Sequence, residues 1–324
     1  MGARLVARTQ TEPAARAASP LAAFGPELAQ LLVISMWAST FVVTKAAFAE
    51  VSPMAFIFVR FLLMTILAFG VLAARGRKAQ WRIRRADLPR FILAGLAGYT
   101  LYQLGFVLGL DNTSPFSSSL LIAMVPFFTM LILAAMGERS PLGAWLGLGV
   151  GIVGVIIFLA DKQGGAGTLL GDALSLGAAV SFAFYGVINR PLVRAYPPET
   201  YTAYAVGLGS IPLLLLSTPA AVAQPWGAIT FWGWVAILYM VTLPVYVAYM
   251  LWNWAIARRG AAAATSFSLL VPIVSGTLSA IFFSEDFGLL KLLGAACVLA
   301  GLVMLRSRAQ KPAAPPAEGS PATE

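Results

Sequence analysis

The sequence predicts an all-α membrane protein with ten transmembrane helices arranged as two inverted five-helix repeats. Three observations predict it. The 324-residue chain is 59% hydrophobic and only 11% charged, whereas a soluble domain carries about 25% charge. It is divided into apolar runs near the roughly 20 residues that cross a hydrocarbon layer of about 30 Å. Its Lys and Arg residues gather almost entirely on one side of the topology those runs define.

The chain opens with a polar stretch, residues 1–27, read as a disordered cytoplasmic tail. It holds Arg4, Arg8 and Arg16 but no long apolar core, so it is not a secretory signal. Pro13, Pro20 and Pro26 interrupt any presequence-like helix, and Val6 stands where a myristoylation signal needs Ser or Thr. Helices follow at 28–49, 53–74, 89–110, 114–136 and 141–159, the first repeat (28–159). The second repeat (171–306) holds helices at 171–190, 199–218, 231–256, 261–283 and 287–305. Residues 307–324, rich in Pro and Ala, form a second disordered cytoplasmic tail.

Charge sets the orientation. With a cytoplasmic N-terminus, the inner segments hold Arg4, Arg8, Arg16, Arg75, Arg77, Lys78, Arg82, Arg84, Arg85 and Arg90. They also hold Arg139, Arg190, Arg194, Arg258, Arg259, Arg306, Arg308 and Lys311, against Lys162 alone outside. Only Lys45, Arg60 and Lys291 fall within helices. Cytoplasmic loops are enriched in Lys and Arg, so both termini are expected inside. Trp232, Trp234, Trp252, Trp254 and Trp145 fall near helix ends, where amphipathic rings favour the interface, and Trp37 falls near mid-membrane.

The two halves match at an offset of 145–147 residues. Tyr99 and Tyr102 align with Tyr246 and Tyr249, Pro126 with Pro272, and Glu138 with Glu285. Gly147 and Gly154 align with Gly294 and Gly301, and Lys45 with Arg190. Preserved order signals duplication. Five helices per copy is an odd number, so the second copy crosses the membrane in the opposite sense. Inverted repeats are the ground plan of secondary transporters, with the substrate site at mid-membrane.

Several function classes are excluded or disfavoured. The net charge of +9 reflects cytoplasmic loops rather than a nucleic-acid partner. Histidine is absent and Cys297 is the single cysteine, so no metal site, cofactor or internal disulfide is expected. A membrane-embedded enzyme lacks its acids and bases here: Glu285 and Asp286 are adjacent, but there is no Gly-x-Ser-x-Gly elbow. A channel-like facilitator is the remaining alternative to a carrier, although no ring of charges or filter-like glycine loop is present. The expected partners are a small-molecule substrate and the lipid bilayer, with the oligomeric state left open.

Polar and aromatic groups at mid-membrane are the candidate substrate contacts. Tyr99, Tyr102, Gln103 and Phe106 share a face of the third helix, and Tyr246, Tyr249 and Asn253 share one of the eighth. Together they suit a ligand with an apolar body and a polar end. The alternative is packing and interhelical hydrogen bonding. Trp37 is either a pocket wall or a packing residue. Arg60 lies roughly 10 Å into the second helix, where a charge costs about 2.5–3.5 kcal/mol. It serves either a substrate carboxylate or a structural anchor. Lys45 and Lys291 are expected to snorkel from outer helix ends. Pro126, Pro212, Pro244 and Pro272 fall inside helices and suggest hinges or shaped cavity walls. Glycines 147, 151, 154, 294 and 301 allow close helix packing. The acids are expected in tails, loops or helix ends, which points to a facilitator without proton coupling.

The run Trp37-Ala38-Ser39-Thr40-Phe41 resembles the first-helix signature of the drug/metabolite transporter superfamily, EamA type. Pro53, Phe56 and Arg60 in the second helix and Gly137-Glu138 closing the fourth resemble it too, as do Gly171-Asp172 and Pro272 followed by Glu285. The likeness covers residues 28–306. Arg60 has Ala205 or a neighbour opposite it in the second repeat, so its role is not duplicated. The resemblance implies a ten-helix exporter of small metabolites, amino acids among them, in a bacterial inner membrane. Within the superfamily the chain is similar to an aromatic amino-acid exporter.

Overall fold

The computed structural model describes residues 25–78, 80–160, 166–248, 250–252, 254–255, 258 and 267–309. Among them there is helix and no strand. Eight helices are long and apolar enough to cross a membrane: α1 (Gly25–Ala47), α2 (Pro53–Ala74), α3 (Arg85–Asn112), α4 (Pro115–Ala135), α5 (Leu142–Ala160), α6 (Thr168–Ala195), α7 (Pro198–Ala223) and α8 (Phe231–Trp252). Two shorter apolar helices follow, α9 (Leu270–Phe283) and α10 (Leu289–Leu305). The expected ninth span begins at 261, and residues 261–266 lie outside the described ones. What is described of α9, 14 residues, is about 21 Å long at about 1.5 Å per residue.

Starts and stops follow local chemistry. Pro53, Pro115 and Pro198 occupy first-turn positions, where the missing N–H costs nothing. Ser114 caps α4 by accepting from the Ser117 backbone N–H at 3.1 Å, and Thr230 caps α8 by accepting from that of Gly233 at 3.2 Å. Each such cap satisfies an otherwise orphaned donor.

The prolines do something simpler than kink a continuous helix. Helix α4 breaks at Ala123 and Met124 and resumes at Val125, placing Pro126 in the first turn of its second half. In the second half of the chain, Ser268 and Leu269 form the turn and Pro272 stands in the first turn of α9. The same break recurs at the repeat offset. Pro212, by contrast, is truly internal to α7.

Packing pairs the helices. Helices α5 and α10 touch backbone to backbone: a Cβ on Gly147 would lie 2.7 Å from the Gly301 carbonyl oxygen, and one on Gly294 2.5 Å from the Phe158 nitrogen. Without side chains there, dispersion contacts between backbones replace contacts to lipid. Helices α2 and α7 form a second pair, joined by Thr65 donating to Ser210 at 2.9 Å. Helix α3 lies antiparallel along α6, with Gly98 under Tyr185 and Gly109 against Ser175. The main core gathers α1, α2, α3, α7 and α8 around Phe56, Phe61, Phe106 and Met240. A second core gathers α4, α5 and α10 around Phe127, Phe158 and Leu302.

Candidate functional site

Helices α3 and α8 share an irregularity. Residues Leu96–Leu101 of α3 and Leu243–Val247 of α8 are π-helical, and their starts differ by 147, the repeat offset. A π-turn widens the helix, loosens its hydrogen-bond ladder and is frequent at functional sites. Each carries one tyrosine singled out from the sequence, Tyr99 in the first and Tyr246 in the second. Trp37 of α1 donates from Nε1 to the Pro244 carbonyl at 3.1 Å. Its ring lies 4.9 Å from that of Trp252. Nearby, Ser39 and Tyr239 share a hydrogen bond of 2.6 Å, a second tie between α1 and α8.

Rings run in sequence from α1 to α6. Phe41 meets Phe106 edge-on at 5.4 Å, and Phe106 stacks with Tyr102 at 6.2 Å. Tyr102 meets Phe182 at 4.8 Å, Phe182 meets Tyr185 at 5.3 Å, and Tyr185 meets Tyr99 at 5.8 Å. The Tyr201 hydroxyl donates to that of Tyr185 at 2.7 Å, and Asn189 donates to Tyr201 at 3.3 Å. Such rings present apolar faces with polar tips, suited to a ligand of mixed character.

The residues picked from sequence divide. Tyr99 and Tyr102 join one aromatic run, while Gln103, one position on, turns to α2 and accepts from Arg60 at 3.1 Å. One face on paper becomes two because successive side chains diverge by about 100° and the π-turn shifts the register ahead of them. Trp37 is held on α8. Tyr249 and Asn253 lie outside the described residues. Sequence reasoning missed Phe182, Tyr185 and Tyr201; Phe182 and Tyr185 are three apart on α6, a one-face spacing that was legible in principle.

The helix ends on the side expected from the charge distribution to face outward, called here the outer ends, are tied by polar groups. Lys45 Nζ donates to the carbonyls of Leu110, Asp111 and Thr113 at 2.8, 2.7 and 3.1 Å. These are the carbonyls that a helix C-terminus leaves unpaired. Thr113 donates to Asp172 at 2.8 Å. Glu285 accepts from Ser114 at 2.5 Å, from Ser279, and from Lys291 at 2.5 Å. This corrects one expectation. Lys45 and Lys291 are engaged with protein carbonyls and a carboxylate instead of snorkelling, because those partners lie within hydrogen-bond reach of each ammonium. Asp172, the fifth residue of α6, lies at the end of that helix and is buried there at 1% exposure, where Thr113 supplies a donor. Among the described residues, no group of three or more His, Cys, Asp or Glu side chains could hold a metal.

The helices, apolar exterior and mid-span aromatic and polar groups define a multi-pass membrane transport protein. The comparisons name its family. The EamA-like transporter family model matches twice, over residues 26–160 and 169–307. The chain belongs to that family, within the drug/metabolite transporter superfamily, and is a transporter, not an enzyme. An uncharacterized transporter of Archaeoglobus fulgidus is 26% identical over 86% of this chain and 97% of its own length. A "probable terminal-alkyne amino-acid exporter" of Streptantibioticus cattleyicolor is 29% identical over 76% of this chain and 82% of its own. A "probable amino-acid metabolite efflux pump" of Salmonella typhimurium is 26% identical over 84% and 91%. One solved crystal structure matches with TM-score 0.58 over 88% of this chain and 99% of its own, at 18% identity. That last likeness is one of fold.

Proposed function

We propose that this chain is a secondary carrier that exports or equilibrates small metabolites, amino acids among them, by alternating access between two inverted five-helix repeats. The observation that carries the reading is the pair of π-helical segments, one in each family match, at the same repeat position and each bearing a tyrosine. Two related half-sites, one from each half of the chain, would suit a ligand that is passed between two equivalent conformations. Tyr99, Tyr102, Gln103 and Tyr246 would line it, with Trp37, Arg60, Tyr249 and Asn253 completing the set. Phe182 and Tyr185 extend it on α6. The amino-acid assignment draws on what the relatives are named for. Nothing in this chain favours aromatic amino acids over others.

The even total of predicted helices and the Lys and Arg distribution support both termini being cytoplasmic, and the family resemblance is what points to a bacterial inner membrane. A cysteine at Ala228, between α7 and α8, is expected to label from outside in a Cys297→Ala background. One at Arg77, between α2 and α3, is expected to label only after permeabilisation. The reverse pattern would refute the inversion.

The test of function is efflux from liposomes. Full-length protein reconstituted with a mixture of the twenty common L-amino acids should release a subset of them, and that subset should show saturable counterflow. Release without counterflow would indicate a channel. No release of any would refute the amino-acid reading.

A further inference from the structure

The second helix holds a cation that the fold does not neutralise. Arg60 is 6% exposed. Its terminal nitrogen donates to Gln103 Oε1 at 3.1 Å, and its Nε is buried without a hydrogen-bond partner. A guanidinium offers five N–H donors in a planar fork that matches a carboxylate with two parallel bonds. The other two in-helix cations are differently placed: Lys45 meets three carbonyls, and Lys291 meets Glu285. The described acids on the helices packed against α2 stand at helix ends: Asp87 of α3 pairs with Arg84, Asp111 is exposed at the far end of α3, and Glu199 of α7 pairs with Arg75. Gln103 lies ten positions earlier in α3 than Thr113, about 15 Å deeper at about 1.5 Å per residue.

A purely structural role fits this poorly. At the repeat offset from Arg60 the second half has Ala205 and Val206, both buried in α7. The second copy packs there with no guanidinium at all. An anchor would also be expected to spend its donors on backbone carbonyls, as Lys45 does, because an unmet buried donor is costly.

We propose that Arg60, steered by Gln103, is the anion subsite of the carrier, and that it takes the carboxylate of the substrate. This rests on the carrier reading. Gln103 occupies one terminal nitrogen and fixes the plane of the fork, leaving Nε free for one carboxylate oxygen. The rings of Tyr102 and Phe106, which follow on the same stretch of α3, receive the apolar part of the ligand. The substrate class is therefore small monocarboxylates, including amino acids, and not their amides, esters or amines.

The test uses the full chain purified in detergent and matched neutral and anionic probes. Thermal stabilisation is titrated with butyrate against butyramide and with phenylacetate against phenylacetamide. The wild type is expected to bind each carboxylate at least about tenfold more tightly than its amide, the scale of a charge-assisted hydrogen bond. Arg60→Gln should erase the preference, and Arg60→Lys should retain part of it, since an ammonium keeps the charge but not the fork. Equal binding of acid and amide by the wild type overturns the subsite. So does a preference that survives in Arg60→Gln. Should Arg60→Gln fail to fold, the wild-type comparison and Arg60→Lys still decide. The liposome assay separates the two claims: carboxylate preference without any transport sinks the carrier reading and leaves the subsite, whereas transport of amino acids and their amides alike sinks the subsite alone.

Discussion

The outer and inner ends of the molecule use matching residues in different surroundings. Glu285 at the outer end and Glu138 at the inner end are separated by the repeat offset, as are Lys45 and Arg190. At the outer end, Glu285 meets Lys291 at 2.5 Å with the side chains 9% and 13% exposed. At the inner end, Glu138 meets Arg190 at 3.8 Å with the side chains 59% and 47% exposed. The duplicated glutamate thus belongs to a half-buried, multiply bonded lock at one end and to a solvated ion pair at the other, with partners that are not themselves repeat counterparts: Lys291 has Ala144 at the repeat offset. The outer lock joins the start of α4 to the segment after α9 and to α10, so it closes helices of the two halves on each other. The difference teaches that the partners and the solvent exposure met in the fold, rather than the glutamate itself, set the strength of such a pair.

Breaking the outer lock should have the largest effect. Glu285→Ala removes the carboxylate shared by Lys291, Ser114 and Ser279 in a half-buried setting, and breaking such a pair costs up to about 3–5 kcal/mol when it is fully buried. Purified Glu285→Ala protein is expected to melt well below the wild type, and an unchanged melting temperature would mean the lock is not formed in solution. Lys45→Met comes next. It strips three carbonyls at the end of α3 of their donor, at a cost of about 1–3 kcal/mol. The loss should show as faster outward labelling of a cysteine at Asn112, with the fold retained.

Arg190→Ala should be nearly silent in stability, within about 1 kcal/mol, because exposed pairs contribute little. A drop as large as that of Glu285→Ala would show that the inner pair is buried in solution and that the contrast between the ends is false. The smallest effect concerns energy coupling. Histidine is absent, and Asp172 and Glu285 are engaged in hydrogen bonds. Transport down a substrate gradient in liposomes is therefore expected to be unchanged by an imposed proton gradient. Uphill movement driven by that gradient would make Asp172 and Glu285 the coupling groups to replace first.

Much of this was readable in the chain. Uninterrupted apolar runs must be helical in lipid because every backbone polar group needs an internal partner, and the starts at Pro53, Pro115 and Pro198 were legible as helix openings. The offset that aligns Tyr99 with Tyr246 and Pro126 with Pro272 also foretold where α4 and α9 break. What composition could not convey is direction around each helix. Side chains on a span that is apolar on all sides have no amphipathic marker, so the sequence placed Tyr102 and Gln103 on one face without saying that one meets α6 and the other α2. The π-turns, set by the balance of hydrogen bonds and packing around Pro244 and Gly98, left no period to read. Burial of charge was likewise decided in three dimensions. Asp172 looks like a surface group from its place in the chain, and only the arrival of Thr113 from a distant segment offsets the cost of its burial.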